Sequence, residues 1–329
     1  MSLSLNDSFR YCQQLARRQG RNFYFSFLTL PRSMFRDMCV LYTFMRLTDD
    51  IGDDTTIDVA RRQVNLTQWR ERVVSIFHTN APKTEPPSPL ELPTSNGVDC
   101  ATLPNLAAHS KSATGQQLSP ALGESTNVFP ALTDVVYRNQ IPVQLLLDVI
   151  EGVESDLSPR LMASFGELNQ YCYHVAGAVG LCCLHVWGYD GAEAKDRAID
   201  CGTAFQLTNI LRDLREDAQM GRVYLPADEL ERFDYTRDEL ATGPLDDRFR
   251  ELMAFQVERA QHYYDRGRHL FRNLHRPGRT ILSAMFRIYG GLLQEIRRQN
   301  YDVYSRRIRL TTTRKLGIAV GSLILPFRK

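Results

Sequence analysis

The sequence predicts an all-α protein built as one helical bundle. Three observations carry this. Apolar residues recur at spacings of three and four over most of the chain. No run alternates as a strand would. Pro31, Pro226 and Pro244 stand where helices are expected to begin or end.

The elements follow in order. Residues 7–20 repeat Phe9, Cys12 and Ala16 on one face. Residues 33–54 carry Val40, Leu41, Phe44, Met45, Leu47 and Ile51. Residues 57–78 carry Leu66, Trp69, Val73 and Phe77. A short piece, 131–136, has Leu132, Val135 and Val136, and 142–155 has Leu145, Val149 and Val153. Residues 165–187 form a helix rich in small side chains. Residues 192–219 carry Phe205, Leu207, Ile210, Leu211 and Leu214. Two long segments, 246–273 and 278–306, complete the bundle.

One stretch breaks the pattern. From about Ala81 to Asn127 the chain is rich in Pro, Ser and Thr, with APKTEPPSPLELPTSNG followed by ATLPNLAAHSKSATGQQLSPALGEST. It lacks the apolar density of a core layer and reads as a flexible insertion in a single domain spanning 1–329. A regulatory or partner-binding role for it is the alternative.

Composition narrows the class. Apolar residues make up 43% and charged residues 24%, as in ordinary globular proteins, and the formal net charge is +2 with scattered arginines. Nucleic acid is therefore not an expected partner, and a monomer is expected. The seven cysteines are odd in number and none forms a C-x-x-C pair, which suggests free thiols in a reducing, cytoplasmic compartment. His174 and His185 lack zinc-ligand spacing. The N-terminus has no signal-like apolar core, and no apolar run reaches about 18 residues. The nearest is Leu316 to Phe327, flanked by Arg314, Lys315, Arg328 and Lys329. It reads either as a core-packed final helix or as a tail touching the inner face of a membrane.

Chemistry concentrates in two acidic stripes. In LYTFMRLTDDIGDD, the residues Tyr42, Arg46, Asp49, Asp50 and Asp53 share a helix face. Four carboxylates in six residues exceed what Arg46 can neutralise. Magnesium takes oxygen ligands, commonly one or two carboxylates with water and substrate phosphates, so a D-D-x-x-D stripe suits it. A solvated acidic face is the bland alternative, but the apolar residues around the stripe argue against it. In TAFQLTNILRDLREDAQMGRVYLP, the residues Gln206, Asn209, Asp213 and Asp217 fall on one face. That face could be neutralised by Arg212 and Arg215, or it could be a second metal stripe with Arg212 gripping diphosphate oxygens. Two stripes together imply two helices facing across a cavity, where a diphosphate ester ionises and an aromatic-walled pocket shelters the carbocation. No Ser-His-Asp arrangement, P-loop or dinucleotide fingerprint competes.

These residues resemble the squalene/phytoene synthase family. NFYFSFLTLP with LYTFMRLTDDIGD, then YCYHVAGAVGL, then FQLTNILRDLREDAQMGRVYLP, then YGGLLQEIRRQNYDVYSRR match its motifs in order over nearly the whole chain apart from 81–127. The resemblance implies that Asp49, Asp50, Asp53, Asn209, Asp213 and Asp217 bind magnesium, with manganese as a substitute. It implies that Arg46, Arg212, Tyr224 and Arg306 hold diphosphate oxygens, and that Tyr42, Tyr171 and Tyr289 line the ionising end. It implies that Phe23, Phe27, Val175, Ala176, Val179, Phe205 and Gln206 shape the prenyl pockets, with Gly177 and Gly180 allowing close approach. Asn22 stands near the first diphosphate where several relatives have Ser. Cys39 is expected to face the pocket where relatives often have a larger aromatic.

The implied reaction joins two prenyl diphosphates, farnesyl or geranylgeranyl, head to head through a cyclopropyl-carbinyl diphosphate. Proton loss gives a phytoene-type product; hydride from NADPH would give squalene. Chain elongation and terpene cyclisation are the enzymatic alternatives. Asn209, Asp213 and Asp217 fit neither's second motif well. A catalytically silent scaffold would be expected to have lost its acids.

Overall fold

The computed structural model describes residues 3–20, 23–79, 123, 125–158, 161–243, 245–311 and the pairs 313–314, 317–318 and 321–322; of Phe23 and Phe25 it describes the backbone only. Pro244 and most of 81–127 and of Leu316–Phe327 lie outside the described residues.

The bundle expected from periodicity is what forms, and no strand occurs among the described residues. The helices are α1 (Leu5–Gln19), α2 (Phe23–Phe27), α3 (Arg32–Gly52), α4 (Val59–Thr79), α5 (Phe129–Arg138), α6 (Val143–Ser155), α7 (Phe165–Cys172), α8 (Ala178–Trp187), α9 (Ala194–Gln219), α10 (Ala227–Arg232), α11 (Arg237–Thr242), α12 (Asp247–Gly267) and α13 (Arg276–Arg298). A π-helical turn, Tyr173–Gly177, joins α7 to α8.

Three boundaries differ from expectation, each for a local reason. The last long helix stops at Arg298 rather than 306, because Asn300 and Tyr301 take φ of 52° and 65° and the Tyr301 N–H turns back to the Ile296 carbonyl at 3.0 Å. The helix begun near 246 ends at Gly267 and tightens into a 3-10 turn, Arg268–Arg272. The insertion ends sooner than Asn127: Ser125–Val128 is a 3-10 turn with Ser125 and Val128 buried, and the Ser8 hydroxyl donates to the Asn127 carbonyl at 2.6 Å.

Helix α9 is central. It packs along α12 and also against the π turn, α8, α11 and α13. Helix α3 packs on α8 from another side. Its inner face is anchored by Trp69 of α4, which stacks on Phe44 and donates from Nε1 to Thr48 Oγ1 at 3.0 Å. One glycine permits the tightest crossing. A Cβ at Gly202 would lie 2.7 Å from the Ala176 carbonyl carbon and oxygen, so only glycine lets α9 reach the π turn.

Candidate active site

The first acidic stripe sits at the C-terminal end of its helix, and the second runs along the C-terminal half of α9 and reaches its end. Asp49 and Asp50 close α3, with Asp53 as its cap, and Asp217 lies in the last turn of α9. The helix dipole is negative there and favours cations, yet neither last turn holds a basic residue. Asp49 and Asp217 thus stand where the backbone and the adjoining carboxylates repel them, while Asp50 is offset by Arg46, Asp53 by Arg222, and Asp213 by Arg212 and Arg307.

Their titration reflects this. The Asp217 carboxyl is pushed up to about 7, first by burial and then by Asp213, Asp156 and Glu216, against the pull of Arg222. The Asp49 carboxyl is also pushed up to about 7, by loss of bulk water and by Asp53, Asp50 and Asp156, with Arg46 opposing. Asp49 is exposed at the mouth of the site, with Asp50 and Asp53 of the same helix end beside it.

A buried-side acid that the sequence reading missed links the stripes. Asp156, the cap of α6, accepts from the Tyr171 hydroxyl at 3.1 Å and the Tyr224 hydroxyl at 2.9 Å. These two rings stack at 4.8 Å. Arg222 reaches over to Asp53 at 3.3 Å. Arg46 pairs with Asp50, and Arg212 forks onto Asp213. Arg307 approaches Asp213 at 3.2 Å and Glu216 at 2.9 Å. Arg215 instead donates to the Tyr304 carbonyl, so Arg212 alone of the two neutralises the stripe from α9 itself.

Behind the acids opens an apolar shaft of about 390 Å³. Arg46, Asp49, Gln206 and Asn209 border it at one end. Phe27, Tyr42, Val175, Ala176, Val179, Gly180, Phe205 and Tyr289 line it, so most residues expected to shape the prenyl pocket converge there. Phe205 and Tyr289 stack at 4.8 Å on one wall. Along α9 the lining runs from Asn209 down to Ala198, about 16 Å at 1.5 Å per residue. A second hollow of about 320 Å³ shares Met285 and Tyr289 with the first and is bordered by Arg212 and Arg307.

Arg306 and Arg307 are both exposed and both border a hollow with Arg212 and Glu216; Arg306 lies beside Glu295 and Asp302, and Arg307 reaches Asp213 and Glu216. One expectation is displaced. Cys39 does not face the shaft: it is fully buried beside Cys12 of α1, and Met38, Leu41 and Tyr42 take the lining positions. Asn22 and the Phe23 side chain lie outside the description. Arg222 and Arg307 stand within or next to the motifs already quoted, but nothing in their spacing marks them. Asp156 ends an apolar helix with no acidic partner nearby on its own face, so only the tertiary fold exposes its role.

Among the described residues, no three His, Cys, Asp or Glu side chains converge on a single point that could hold a metal ion. The donor set nonetheless fits a hard divalent cation: it is all oxygen, Asp49 and Asp217 are under repulsion from neighbouring carboxylates, and the set reaches two negative helix ends through Asp49, Asp50, Asp53 and Asp217. Such a cation completes its shell with water and substrate phosphates.

The chain matches the family model for squalene/phytoene synthase over residues 16–314. It is 32% identical to phytoene synthase of Arthrospira platensis over 324 residues, covering 94% of this chain and 91% of that one. It is 30% identical to 15-cis-phytoene synthase of Synechocystis sp., covering 95% and 83%. Among solved structures it resembles a dehydrosqualene synthase in complex with ligand, with a TM-score of 0.75, 23% identity and coverage of 97% and 96%. It also resembles squalene synthase HpnC from Alicyclobacillus acidocaldarius, with a TM-score of 0.71, 25% identity and coverage of 90% and 95%. An acid-rimmed apolar shaft in an all-helical bundle, together with these likenesses, places the chain in the squalene/phytoene synthase family, prenyltransferases that condense two prenyl diphosphates head to head.

Proposed function

We propose that the two substrates are C20 geranylgeranyl diphosphates and that the product is a phytoene-type hydrocarbon. The observation that carries this is the depth of the shaft, about 16 Å along α9 from the acid rim to Ala198. That span is a little under the length of an extended C20 tail and somewhat more than that of an extended C15 tail, so a slightly bent C20 tail fills it more fully. The phytoene synthases among the relatives support the same length. The second hollow, walled by Ile288, Leu292, Ile308 and Leu310, offers apolar room for the other tail.

In this reading Asp49, Asp50 and Asp53 with Asn209, Asp213 and Asp217 hold magnesium, which would neutralise charge on the departing diphosphate. In the same reading Arg46, Arg212, Arg306 and Arg307 receive diphosphate oxygens, which their nearness to the acids and to one another supports. The tail lies between Val179 and the stacked Phe205–Tyr289 pair, whose ring faces stabilise positive charge as the C–O bond breaks. Apolar walls keep water from the cation. Tyr171 and Tyr224 fix Asp156 at the rim.

The test is incubation of purified protein with farnesyl or geranylgeranyl diphosphate and magnesium, with and without NADPH, followed by hydrocarbon analysis. A C40 hydrocarbon from the C20 substrate without NADPH is expected. Squalene from the C15 substrate with NADPH, and none from C20, would overturn the proposal.

A further inference from the structure

The acid rim meets the same diphosphate whatever tail it carries, so discrimination by length has to arise at the opposite end of the shaft. Helices α8 and α9 are joined by a short turn and run in opposite directions. Trp187, the last residue of α8, and Ala198, near the start of α9, therefore lie at one end, away from Asn209. Leu270 and Ile281 complete that end.

We propose that Trp187 is the stop that sets the tail length, a conclusion that rests on the prenyl-condensing reading above. Its ring is the bulkiest side chain there, flanked by the smaller Cys183 and Ala198. It is only 4% exposed, and its Nε1 has no hydrogen-bond partner, so packing alone holds it. That packing is close. A Cβ at Gly278 of α13 would stand 2.8 Å from the Trp187 Cβ, so α13 backs the base of the indole and leaves it little freedom to swing aside. A fixed aromatic wall rejects a longer tail by overlap, whereas a shorter tail merely loses contacts.

The experiment compares kcat/KM for farnesyl, geranylgeranyl and geranylfarnesyl (C25) diphosphates, with product lengths, in wild type and Trp187→Leu. The C25:C20 ratio is expected to rise by about tenfold or more, the scale at which a pocket wall discriminates small apolar increments. Trp187→Phe keeps an aromatic in the same packing and should shift the ratio the same way by less; it decides the matter if the leucine variant does not fold. An unchanged ratio in a folded variant, or an equal loss on all three substrates, overturns the proposal. Absence of hydrocarbon from wild type with every diphosphate would instead overturn the reading on which it rests.

Discussion

The Tyr224 hydroxyl donates to Asp156 Oδ1 at 2.9 Å, and this bond ties the segment after α9 to the end of α6. Asp156 lies close enough to Asp49, Asp53 and Asp217 to repel all three. Tyr224→Phe should therefore loosen the rim where the two stripes meet. Loss of such a bond costs about 1 kcal/mol, so a drop of roughly fivefold to tenfold in kcat/KM is expected, with a raised magnesium requirement. Steady-state kinetics across a magnesium titration would check this. An unchanged requirement would assign the bond to the fold alone.

Asp49→Ala and Asp213→Ala remove one carboxylate from each stripe. Each should reduce turnover by about a thousandfold, since metal stabilisation of a leaving group amounts to several kcal/mol. A readout separate from activity is thermal melting. Magnesium with inorganic diphosphate should raise the melting temperature of wild type through binding to the folded state. Failure of both variants to lose that rise would show that the stripes do not hold the metal.

The raised carboxyls make stability depend on pH in a defined sense. Asp49 and Asp217 have ordinary values of 3.8 and are pushed up to about 7 in the fold. The folded state thus binds more protons between these values than the unfolded state does. Their contribution is complete below about pH 4 and is lost as pH rises through about 7. Asp50, Asp53, Asp156, Asp213 and Glu216 act with this trend, and Arg46 and Arg222 against it. In chelator, the melting temperature should fall between pH 5 and 8, and magnesium should flatten that fall. A fall of the same size with magnesium present would contradict the assignment.

Gly202→Ala tests the crossing of α9 and the π turn. The new methyl would meet backbone atoms at 2.7–2.8 Å, which cannot rotate away. A destabilisation of about 1–3 kcal/mol is expected. Gly290→Ala, on α13 with nothing within 4 Å of the added carbon, should instead stabilise by about 0.5–1 kcal/mol. Chemical denaturation of both variants gives the comparison.

Much of this was legible in the sequence because it is local. Periodicity located the long helices, and stripe spacing brought Asp49 and Asp53, and Asn209 and Asp213, onto single faces. What escaped depends on distant contacts or on very short elements. The α10 and α11 helices are six residues each and too short for periodicity, although Thr236 and Glu239 form a capping box that could have marked α11. Asp156 owes its role to tyrosines 15 and 68 positions away. Cys39 was misplaced because Asp37, Met38, Cys39, Val40 and Leu41 are all buried, and a stretch buried on every face offers no cue to which neighbour each side chain meets. Arg307 stands beside Arg306 at the same hollow, and its pairing with Asp213 escaped the sequence because beyond Arg298 the chain is no longer helical and helical register stops being a guide.

The six described cysteines are all buried and unpaired. Burial pushes the Cys39 and Cys183 thiols up to about 12, and raises Cys12 and Cys201 as well, so thiolate is scarce in the native state. The chain thus contains two sets of silent reporters. Cys12 and Cys39, locked between α1 and α3, become alkylated only when those helices part. Cys183 and Cys201 border the shaft and register its filling as well as its opening. The ratio of their labelling rates would separate a tail lodged in the shaft from a general tightening of the bundle, without a tag or a dye.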